Sequence, residues 1–387
     1  MIRIGVVRPW TVALLFLLAP PVAAAPPKAA PPAKGAPLAK GAASPKGDAA
    51  AKPAAPAAPA AYRLGPLPAG EKAAWTHAPY AAGECSVCHE RGDPKNPGKL
   101  SRPGNELCFM CHDEFQPIMG RKHPHAPAKA ACVSCHNAHD ARQSKLLHAE
   151  SSALCLGCHG DVKAVAEGSK VRHDALTQGK KCLNCHNPHA SNVEKLLTQL
   201  PYDLCVSCHS VDGLKDESGR ALTNFKKWLE ENKEVHAPVA AKDCSSCHVP
   251  HGSGHFRLLV ADYPAEFYAP YDPKNYELCF ACHNSEVAKS AETTTLTGFR
   301  DGARNLHFVH VNKSDRGRTC RACHEVHASK QPHQIRDGVP YGSKGWMLKV
   351  GFTPRENGGS CSRTCHDTKD YDRTKGAAAK APASAKK

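Results

Sequence analysis

A histidine directly follows each of ten cysteine pairs, and these pairs use all 20 cysteines of the 387-residue chain. Two residues separate the cysteines in nine pairs, which gives the pattern C-x-x-C-H, and three residues separate them in the tenth. So many cysteines at one spacing must serve one repeated chemistry. Numbered 1 to 10 along the chain, the motifs are Cys85-Cys88-His89, Cys108-Cys111-His112, Cys132-Cys135-His136, Cys155-Cys158-His159, Cys182-Cys185-His186, Cys205-Cys208-His209, Cys244-Cys247-His248, Cys279-Cys282-His283, Cys320-Cys323-His324 and Cys361-Cys365-His366.

The pattern C-x-x-C-H is typical of c-type haem attachment, in which two thiols bond to the haem vinyl groups and the histidine ligates the iron. Paired C-x-x-C can also form zinc sites, and a disulfide framework suits an exported protein. Neither alternative requires a histidine after every pair. We therefore expect about ten covalently attached haem c groups, with the motif cysteines as thioether residues and the motif histidines as proximal ligands.

Large apolar residues are sparse, with 10 Phe, 4 Met and 4 Trp. A chain of this length would normally form two or three domains, each with its own apolar core. The sequence does not supply side chains for cores of that size, and the haems would replace them. The predicted fold is mostly coil with short α-helices, organised around a chain of about ten stacked haems.

Two kinds of motif alternate along the chain. The first kind follows a histidine and often continues to another one, whereas the second kind begins with Leu-Cys. In three units a leucine (Leu146, Leu196 or Leu258) stands 14 residues after the first cysteine. The alternation predicts five two-haem repeats. These units lie near 77–122, 123–172, 173–235, 236–306 and 307–366.

We expect the Leu-Cys motifs to lie on short helices, because positions i and i+3 share a helix face and both cysteines could then meet one porphyrin edge. Asn105, Ser151 and Asn275 are the predicted N-caps of such helices. A further short amphipathic helix is predicted from Asn224 to Asn232.

Fourteen histidines remain outside the motifs, and ten haems with two histidines each would need ten of them. One group precedes the first kind of motif, and a second group follows a proximal histidine by three residues. A histidine of the second group lies too near its own proximal histidine to reach the far face of that haem, so we expect it to ligate a neighbouring one. Unit one lacks such a histidine, since Glu90-Arg91-Gly92 follows His89. The candidate distal ligands are His77, His125, His173, His236, His307 and His310 in the first group, and His139, His189, His251 and His327 in the second. Ligation is left open for His123, His148, His255 and His333.

The ends of the chain have a different character. Residues 1–25 resemble a secretory signal peptide, with a basic start, a short apolar run and small residues before the predicted cleavage site. Residues 26–61 form an Ala/Pro/Lys-rich linker, and 375–387 form a basic tail, and both are predicted to be disordered. The decahaem cytochrome domain would then span 62–374. Ten of the fifteen net positive charges fall on the two ends, and we predict no nucleic-acid partner.

The units resemble the doubled C-x-x-C-H motif of multihaem cytochromes, as in His236-Ala237-Pro238, then Cys244-Ser245-Ser246-Cys247-His248-Val249-Pro250-His251. With ten haems and an unlipidated leader, the chain is similar to the periplasmic decahaem component of outer-membrane porin–cytochrome conduits. The resemblance implies that both groups of additional histidines are distal ligands. It also implies redox-protein donors and acceptors, an outer-membrane β-barrel porin and an outer-surface cytochrome as partners. The location would be the periplasm, outer-membrane associated, or extracellular.

The predicted function is electron transfer along closely packed bis-histidine haems, without a catalytic residue. The alternative is a multihaem reductase of a small oxyanion, which needs one haem with an open coordination site. Unit one and the Cys361–Cys365 motif are the candidates for that site. Arginines near motif 9, such as Arg316, Arg318 and Arg321, are expected to pair with haem propionates rather than to form a docking surface.

Overall fold

The structure, a computed structural model, describes residues 62–216, 218–342, 346–361 and 364–376. The predicted signal peptide, the linker and the tail from residue 377 lie outside these ranges. All described residues belong to one contact unit, 55–387. Within the described ranges, no helix combines the length and the apolar character needed to cross a membrane.

Helices are short, and the longest have nine residues. Frequent Pro and Gly interrupt the chain, and the spacing of the motifs leaves little room for longer elements. The α-helices are α1 (Ala78–Ala81), α2 (Gly104–Phe109), α3 (Phe115–Met119), α4 (Ala126–Ala130), α5 (Ser151–Leu156), α6 (Gly160–Gly168), α7 (Pro201–His209), α8 (Phe225–Glu231), α9 (Ala237–Ala240), α10 (Glu277–Phe280), α11 (Glu286–Lys289) and α12 (Leu306–Val311). Short 3₁₀ turns are Cys85–Val87, Cys132–Ser134, Ser144–Leu146, Asp174–Leu176, Lys181–Asn184, Glu194–Leu196, Phe256–Leu258, Pro273–Tyr276, Cys320–Ala322 and Pro332–Gln334.

The first cysteines of motifs 2, 4, 6 and 8 lie on α2, α5, α7 and α10, which confirms the helices predicted for the Leu-Cys motifs. Helix α8 confirms the helix predicted after Asn224, whose side chain accepts a hydrogen bond from the Lys227 amide. The three N-caps predicted for the Leu-Cys helices are wrong. Glu150 caps α5 in place of Ser151, and Asp272 accepts the amide hydrogen bond at the turn before α10 in place of Asn275. Asn105 lies inside α2, and its amide group instead joins Ala128 O and the Cys132 amide.

Most strands have only two residues. They are β1 (Trp75–Thr76), β2 (His123–Pro124), β3 (Asp140–Ala141), β4 (Ala190–Ser191), β5 (Glu234–Val235), β6 (Tyr268–Ala269), β7 (Arg300–Asp301), β8 (Arg304–Asn305), β9 (Gly317–Arg318), β10 (Ala328–Ser329), β11 (Gly338–Tyr341), β12 (Trp346–Lys349), β13 (Phe352–Arg355), β14 (Gly358–Cys361) and β15 (Lys369–Asp372).

The short ladders join one unit to the next. Antiparallel pairing connects β1 with β3, β2 with β4 and β5 with β10. For unit three, an isolated antiparallel β-bridge between Val171 and Ser253 makes the corresponding connection. In each case the segment just before an upstream histidine pairs with the segment just after the C-H-x-x-H sequence of the following unit, so the repeat has a constant backbone register.

The sequence analysis did not predict the β-structure at the C-terminal end. There β11 and β12 form a hairpin, and β13, β14 and β15 form an antiparallel sheet that holds Cys361 of motif 10. At Gly358, a Cβ atom would stand 1.9 Å from Tyr371 O, so this sheet needs a glycine there.

One cluster of buried apolar residues lies beside motifs 8 and 9. Its members Leu259, Tyr263, Tyr276, Ala288 and Val311 are less than a tenth exposed. Leu278, Cys279 and Cys320 pack against it. The buried apolar residues of units one to three are alanines and one valine. Among the described residues, the apolar protein core therefore lies towards the C-terminal end.

Candidate haem sites

In units one, two and four, the upstream histidine stands directly before a short α-helix. His77, His125 and His236 precede α1, α4 and α9, and proline in the first turn favours helix initiation there. The backbone amide of His77 donates to His139 O over 2.8 Å, and that of His125 donates to His189 O over the same distance. The upstream histidine of one unit is thereby fixed beside the C-H-x-x-H histidine of the next.

Ten pairs of histidine rings face each other across a nearly constant gap. Each pair combines one motif histidine with one candidate distal ligand, and ring centroids lie 6.1–6.5 Å apart. The pairs are His77–His112, His89–His139, His125–His159, His136–His189, His173–His209, His186–His251, His236–His283, His248–His327, His307–His324 and His310–His366.

This gap fits an iron ion between two imidazoles. A metal–imidazole bond is about 2 Å long, and the ring centroid lies about 1 Å beyond the nitrogen, so two rings on opposite sides of one iron have centroids about 6 Å apart. Direct stacking would bring the rings closer, as for Tyr62 and His148 at 4.6 Å. The donor set and the spacing therefore fit bis-histidine haem.

Two rules describe the pairing. The upstream histidine of a unit faces the second motif histidine of the same unit, as His77 faces His112. The C-H-x-x-H histidine faces the first motif histidine of the preceding unit, as His139 faces His89. Unit one has no preceding unit, which explains why it lacks a C-H-x-x-H histidine.

Unit five completes the pattern differently, because both of its facing histidines lie within the unit itself. Helix α12 carries two histidines one turn apart. His310 faces His366, as the first rule requires, and His307 faces His324, whose partner would otherwise come from the next unit. The planes of the His310 and His366 rings are 43° apart, whereas the other nine pairs are within 29°.

Backbone carbonyls orient the proximal histidines of the first kind of motif. His136 Nδ1 lies 2.7 Å from Lys145 O and His186 Nδ1 lies 2.8 Å from Lys195 O, nine residues on in both units. Motifs 1, 7 and 9 make the equivalent contact. Such a bond holds the Nδ1 proton, so that Nε2 is free to ligate iron, and it raises the basicity of the ligand.

An unusual turn presents these carbonyls. Lys145 and Leu146 both have positive φ, at 59° and 56°, and the corresponding residue pairs of units three, four and five do the same. The pattern is typical of a type I′ turn, which non-glycine residues adopt at a cost of about 1–2 kcal/mol each. In unit one, Gly98 takes the position of Lys145. The leucines noted at a constant offset therefore mark the turn that orients the proximal histidine.

Burial lowers the pKa of several of the facing histidines, which favours the neutral form that binds iron. Burial lowers the pKa of His307 to about 4, with His324 acting in the same direction. Burial likewise lowers the pKa of His327 to about 4. The pKa values of His209 and His248 are also lowered, chiefly by burial.

The four other histidines face no motif histidine. His148 Nε2 donates a hydrogen bond to Val133 O over 2.9 Å, and its ring stacks on Tyr62. His255 pairs with Asp262 over 2.8 Å, and His333 supplies the carbonyl for His324. His123 Nε2 is buried without a hydrogen-bond partner among the described residues.

Buried arginine nitrogens provide a second test of whether haem fits. The Nε atoms of Arg257, Arg318, Arg321 and Arg336 are buried and have no hydrogen-bond partner within the described part of the chain. Arg257 and Arg336 pair with the carboxylates of Asp216 and Glu325 through their terminal nitrogens. Arg318 and Arg321 have no carboxylate partner among the described residues, and haem propionates are anions of the kind that they could bind. All four arginines lie near motifs 7 to 9 in sequence.

Comparison with known families agrees with this geometry. Residues 77–117 and 125–164 match the family described as doubled CXXCH motif. The chain is a multihaem c-type cytochrome. Residues 147–337 of the cytochrome match a second family, described as outer membrane cytochrome MtrC/MtrF-like, domains II/IV. No curated protein matches the cytochrome.

Sequence reasoning missed several parts of the site. The rule that pairs each histidine with a haem depends on which units lie side by side, and only the ladders reveal it. The orienting carbonyls were also missed, although the constant offset of Leu146, Leu196 and Leu258 marked their turn. Recurrence in the sequence could show that these positions mattered but not what the backbone does there.

Proposed function

We propose that this cytochrome carries electrons along ten haems, each ligated by two histidines, held by residues 62–374. The observation that supports this most directly is the set of ten facing histidine pairs, each with room for one iron. Two strong-field nitrogen ligands give a six-coordinate iron without an open position, which suits electron transfer. The covalently bound haem supplies the redox chemistry, and the chain fixes the spacing of the haems.

Contacts between cysteines support a linear order of haems. The side chains of Cys108 and Cys132, from motifs 2 and 3, lie beside each other. Motifs 4 and 5, 6 and 7, and 8 and 9 make the same kind of contact.

The remaining steps lie within units. Cys135 lies close to Cys158 of the next motif. Cys88, Cys185, Cys247 and Cys323 likewise each lie close to a cysteine of the motif that follows. Every motif is thus a neighbour of the motifs before and after it, and the proposed electron path runs from motif 1 to motif 10 in chain order.

The reductase alternative receives no support from the geometry. Its two candidate sites each contain a facing pair, His89 with His139 and His310 with His366. An oxyanion would have to displace one of these histidines before it could reach iron.

A haem assay combined with low-temperature EPR of the air-oxidised protein tests the proposal. We expect ten haems per chain and low-spin signals throughout. A high-spin ferric signal equal to one haem would overturn bis-histidine ligation at that site and favour the reductase. The His310→Ala variant should produce such a signal, whereas the His148→Ala control should not, because His148 faces no motif histidine.

We place the cytochrome in an electron-transfer pathway at the outer membrane. The match of residues 147–337 to an outer membrane cytochrome family supports this location and export. Fractionation of cells tests it: recovery from washed outer membranes together with a β-barrel protein is expected for a porin-associated conduit. Complete release with the periplasm would instead indicate a soluble carrier.

A further inference from the structure

The segment 62–67, called here the N-terminal strap, precedes unit one in sequence but lies across unit two. The side-chain amide of Asn137 donates hydrogen bonds to the carbonyl oxygens of Arg63, over 3.2 Å, and Gly65, over 3.0 Å. Asn137 is only 5% exposed. The strap is therefore held by its backbone, and it covers the residue that directly follows the proximal histidine of motif 3.

Both ends of the strap are anchored to unit two as well. At one end the ring of Tyr62 stacks on that of His148, with centroids 4.6 Å apart and planes only 6° apart. At the other end the amide of Leu67 donates a hydrogen bond to Asp140 Oδ1 over 2.8 Å, and Asp140 is 8% exposed. The strap thus has a defined position along its whole length.

A carbonyl group of the strap meets a proposed iron ligand. Leu64 O lies 3.0 Å from His139 Nδ1. A carbonyl oxygen can only accept a hydrogen bond, so Nδ1 carries the proton and Nε2 is left free for iron. The ring of His139 faces that of His89, so this contact belongs to the haem proposed at motif 1.

The contact differs from those that the repeat itself provides. His77, His125 and His173 each hold Nδ1 beside the carbonyl of the residue before a C-H-x-x-H histidine, so their acceptors recur with the units. Among the C-H-x-x-H histidines of the described residues, His139 is the one with a backbone carbonyl at Nδ1. Its acceptor comes from outside the repeat, and the strap is what supplies it.

A hydrogen bond from Nδ1 increases the basicity of the ligand nitrogen, which favours the ferric state because that state carries one more positive charge. We propose that the strap is a positioning segment for the haem at motif 1, and that Leu64 O holds the reduction potential of this haem below the value it would have without the strap. Motif 1 stands at one end of the proposed electron path, so the strap would set the driving force of a terminal step. The proposal rests on the proposed function, since it requires haem at motif 1.

Two asparagine variants of the full-length protein provide a matched test. Asn137 Oδ1 accepts a hydrogen bond from the His139 amide over 2.9 Å, and Asn187 Oδ1 accepts one from the His189 amide over 3.0 Å. Asn137→Ala and Asn187→Ala both remove this local turn, but only the first also removes the donors to the strap.

A spectroscopic redox titration compares the two variants. In Asn137→Ala, one haem equivalent should move to higher potential, with about a tenfold rise in its ferrous-to-ferric ratio at fixed potential, or about 59 mV for one electron. Asn187→Ala measures the loss of the turn alone and should not reproduce this shift.

A change in the strap itself tests the same link without altering unit two. Tyr62→Ala removes the stacking on His148 and should raise the potential of one haem equivalent in the same direction, whereas Tyr62→Phe keeps the ring and should behave as the wild-type protein. Release of the strap has a readout that does not depend on haem, because backbone hydrogen bonds protect a segment from proteolysis. Tryptic cleavage after Arg63, followed by mass spectrometry, should be faster in Asn137→Ala and Tyr62→Ala than in their two controls.

The outcomes separate this proposal from the proposed function. A wild-type protein without ten low-spin haems contradicts the proposed function itself. Ten low-spin haems, faster cleavage after Arg63 and unchanged potentials would show that the strap only packs on unit two, which overturns its role at motif 1. Unchanged cleavage in both Asn137→Ala and Tyr62→Ala would contradict the docking of the strap. If Asn137→Ala fails to assemble, the Tyr62 pair still decides the matter.

Discussion

Units one to three and units four and five use the same motif but are stabilised differently. The first three units bury only small apolar side chains, such as Ala141 and Ala190. The last two units bury Tyr263 and Tyr276 in a protein core, and they add a hairpin and a three-stranded sheet. The comparison teaches that a doubled haem motif can fold with almost no apolar protein core, and that the longer segments of units four and five build one around it.

Truncation of a core residue tests this difference with the largest expected effect. Tyr276 is fully buried, so Tyr276→Ala should lower the free energy of unfolding by about 3–5 kcal/mol. In unit three, Leu200 is 62% exposed, and Leu200→Ala should change it by less than about 0.5 kcal/mol. Urea unfolding followed by Soret circular dichroism measures both.

Tyr276→Phe serves as the control. The Tyr276 hydroxyl is buried without a partner among the described residues, so its removal should leave stability nearly unchanged. Equal losses in Tyr276→Ala and Leu200→Ala would show that the two regions do not differ.

Two glycine substitutions should act in opposite directions. At Gly317 in β9, a Cβ atom would lie 2.2 Å from Val311 O, so Gly317→Ala should destabilise the protein by about 1–3 kcal/mol. At Gly160 in α6, a Cβ atom meets nothing within 4 Å, and alanine should stabilise that helix by about 0.5–1 kcal/mol. Thermal unfolding of the two variants checks the signs, and a stable Gly317→Ala protein would contradict the close packing of β9.

Asp216 links the two regions, because it accepts a hydrogen bond from Arg257 of unit four over 3.2 Å. Burial opposes its ionisation, but hydrogen bonds from Ser218, from the Arg220 amide and from Arg257 outweigh burial and lower the pKa of Asp216 to about 2. The side chain is 3% exposed. Ionised Asp216 should therefore contribute about 2 kcal/mol to stability.

The pH dependence follows from the sign of this shift. The folded protein has the lower pKa, so the contribution is complete above about pH 4 and disappears as the pH falls towards 2. In Asp216→Asn the contribution should be absent at every pH. Unfolding curves of both proteins at pH 7 and pH 2.5 measure it, and a constant difference between them would contradict the assignment.

The smallest expected effect concerns the left-handed turns. Lys195 has a φ of 55°, so Lys195→Gly should relieve strain and stabilise the protein by about 1 kcal/mol. Arg257 occupies the same turn position in unit four, but its side chain also bonds to Asp216 and covers Phe256. Arg257→Gly should therefore destabilise, and stabilisation by both substitutions would show that the two turns are equivalent.

Much of this architecture could be predicted from the sequence, because covalent haem attachment requires cysteines and a histidine that lie close together in the chain. The motifs, the two-haem repeat, the Leu-Cys helices and the recurring histidines are all visible in short stretches of the chain. The N-caps at Ser151 and Asn275 were wrong because carboxylates one and three residues earlier accept the amide hydrogen bonds.

Long-range features could not be predicted in the same way. The partner of His89 lies 50 residues away and is chosen by the β1–β3 ladder, whose strands have two residues and no distinct sequence pattern. The core around Tyr276 and the strands β13–β15 depend on contacts between segments without a repeat. These segments do not recur in the other units, so their structure could not be predicted by comparing one unit with another.

The pairing between adjacent units also gives the maturation of this protein a direction. Under the proposed ligation, the first haem in each of units one to four receives its second histidine from the following unit. The haem at His89, for example, remains incomplete until His139 has been exported. Export from the N-terminus would then leave one unfinished haem at the leading boundary at every stage. Unit five differs, because α12 holds both histidines that its haems would need. A chain cut after any earlier unit would lack the second histidine of one haem, whereas His307 would supply that histidine within unit five.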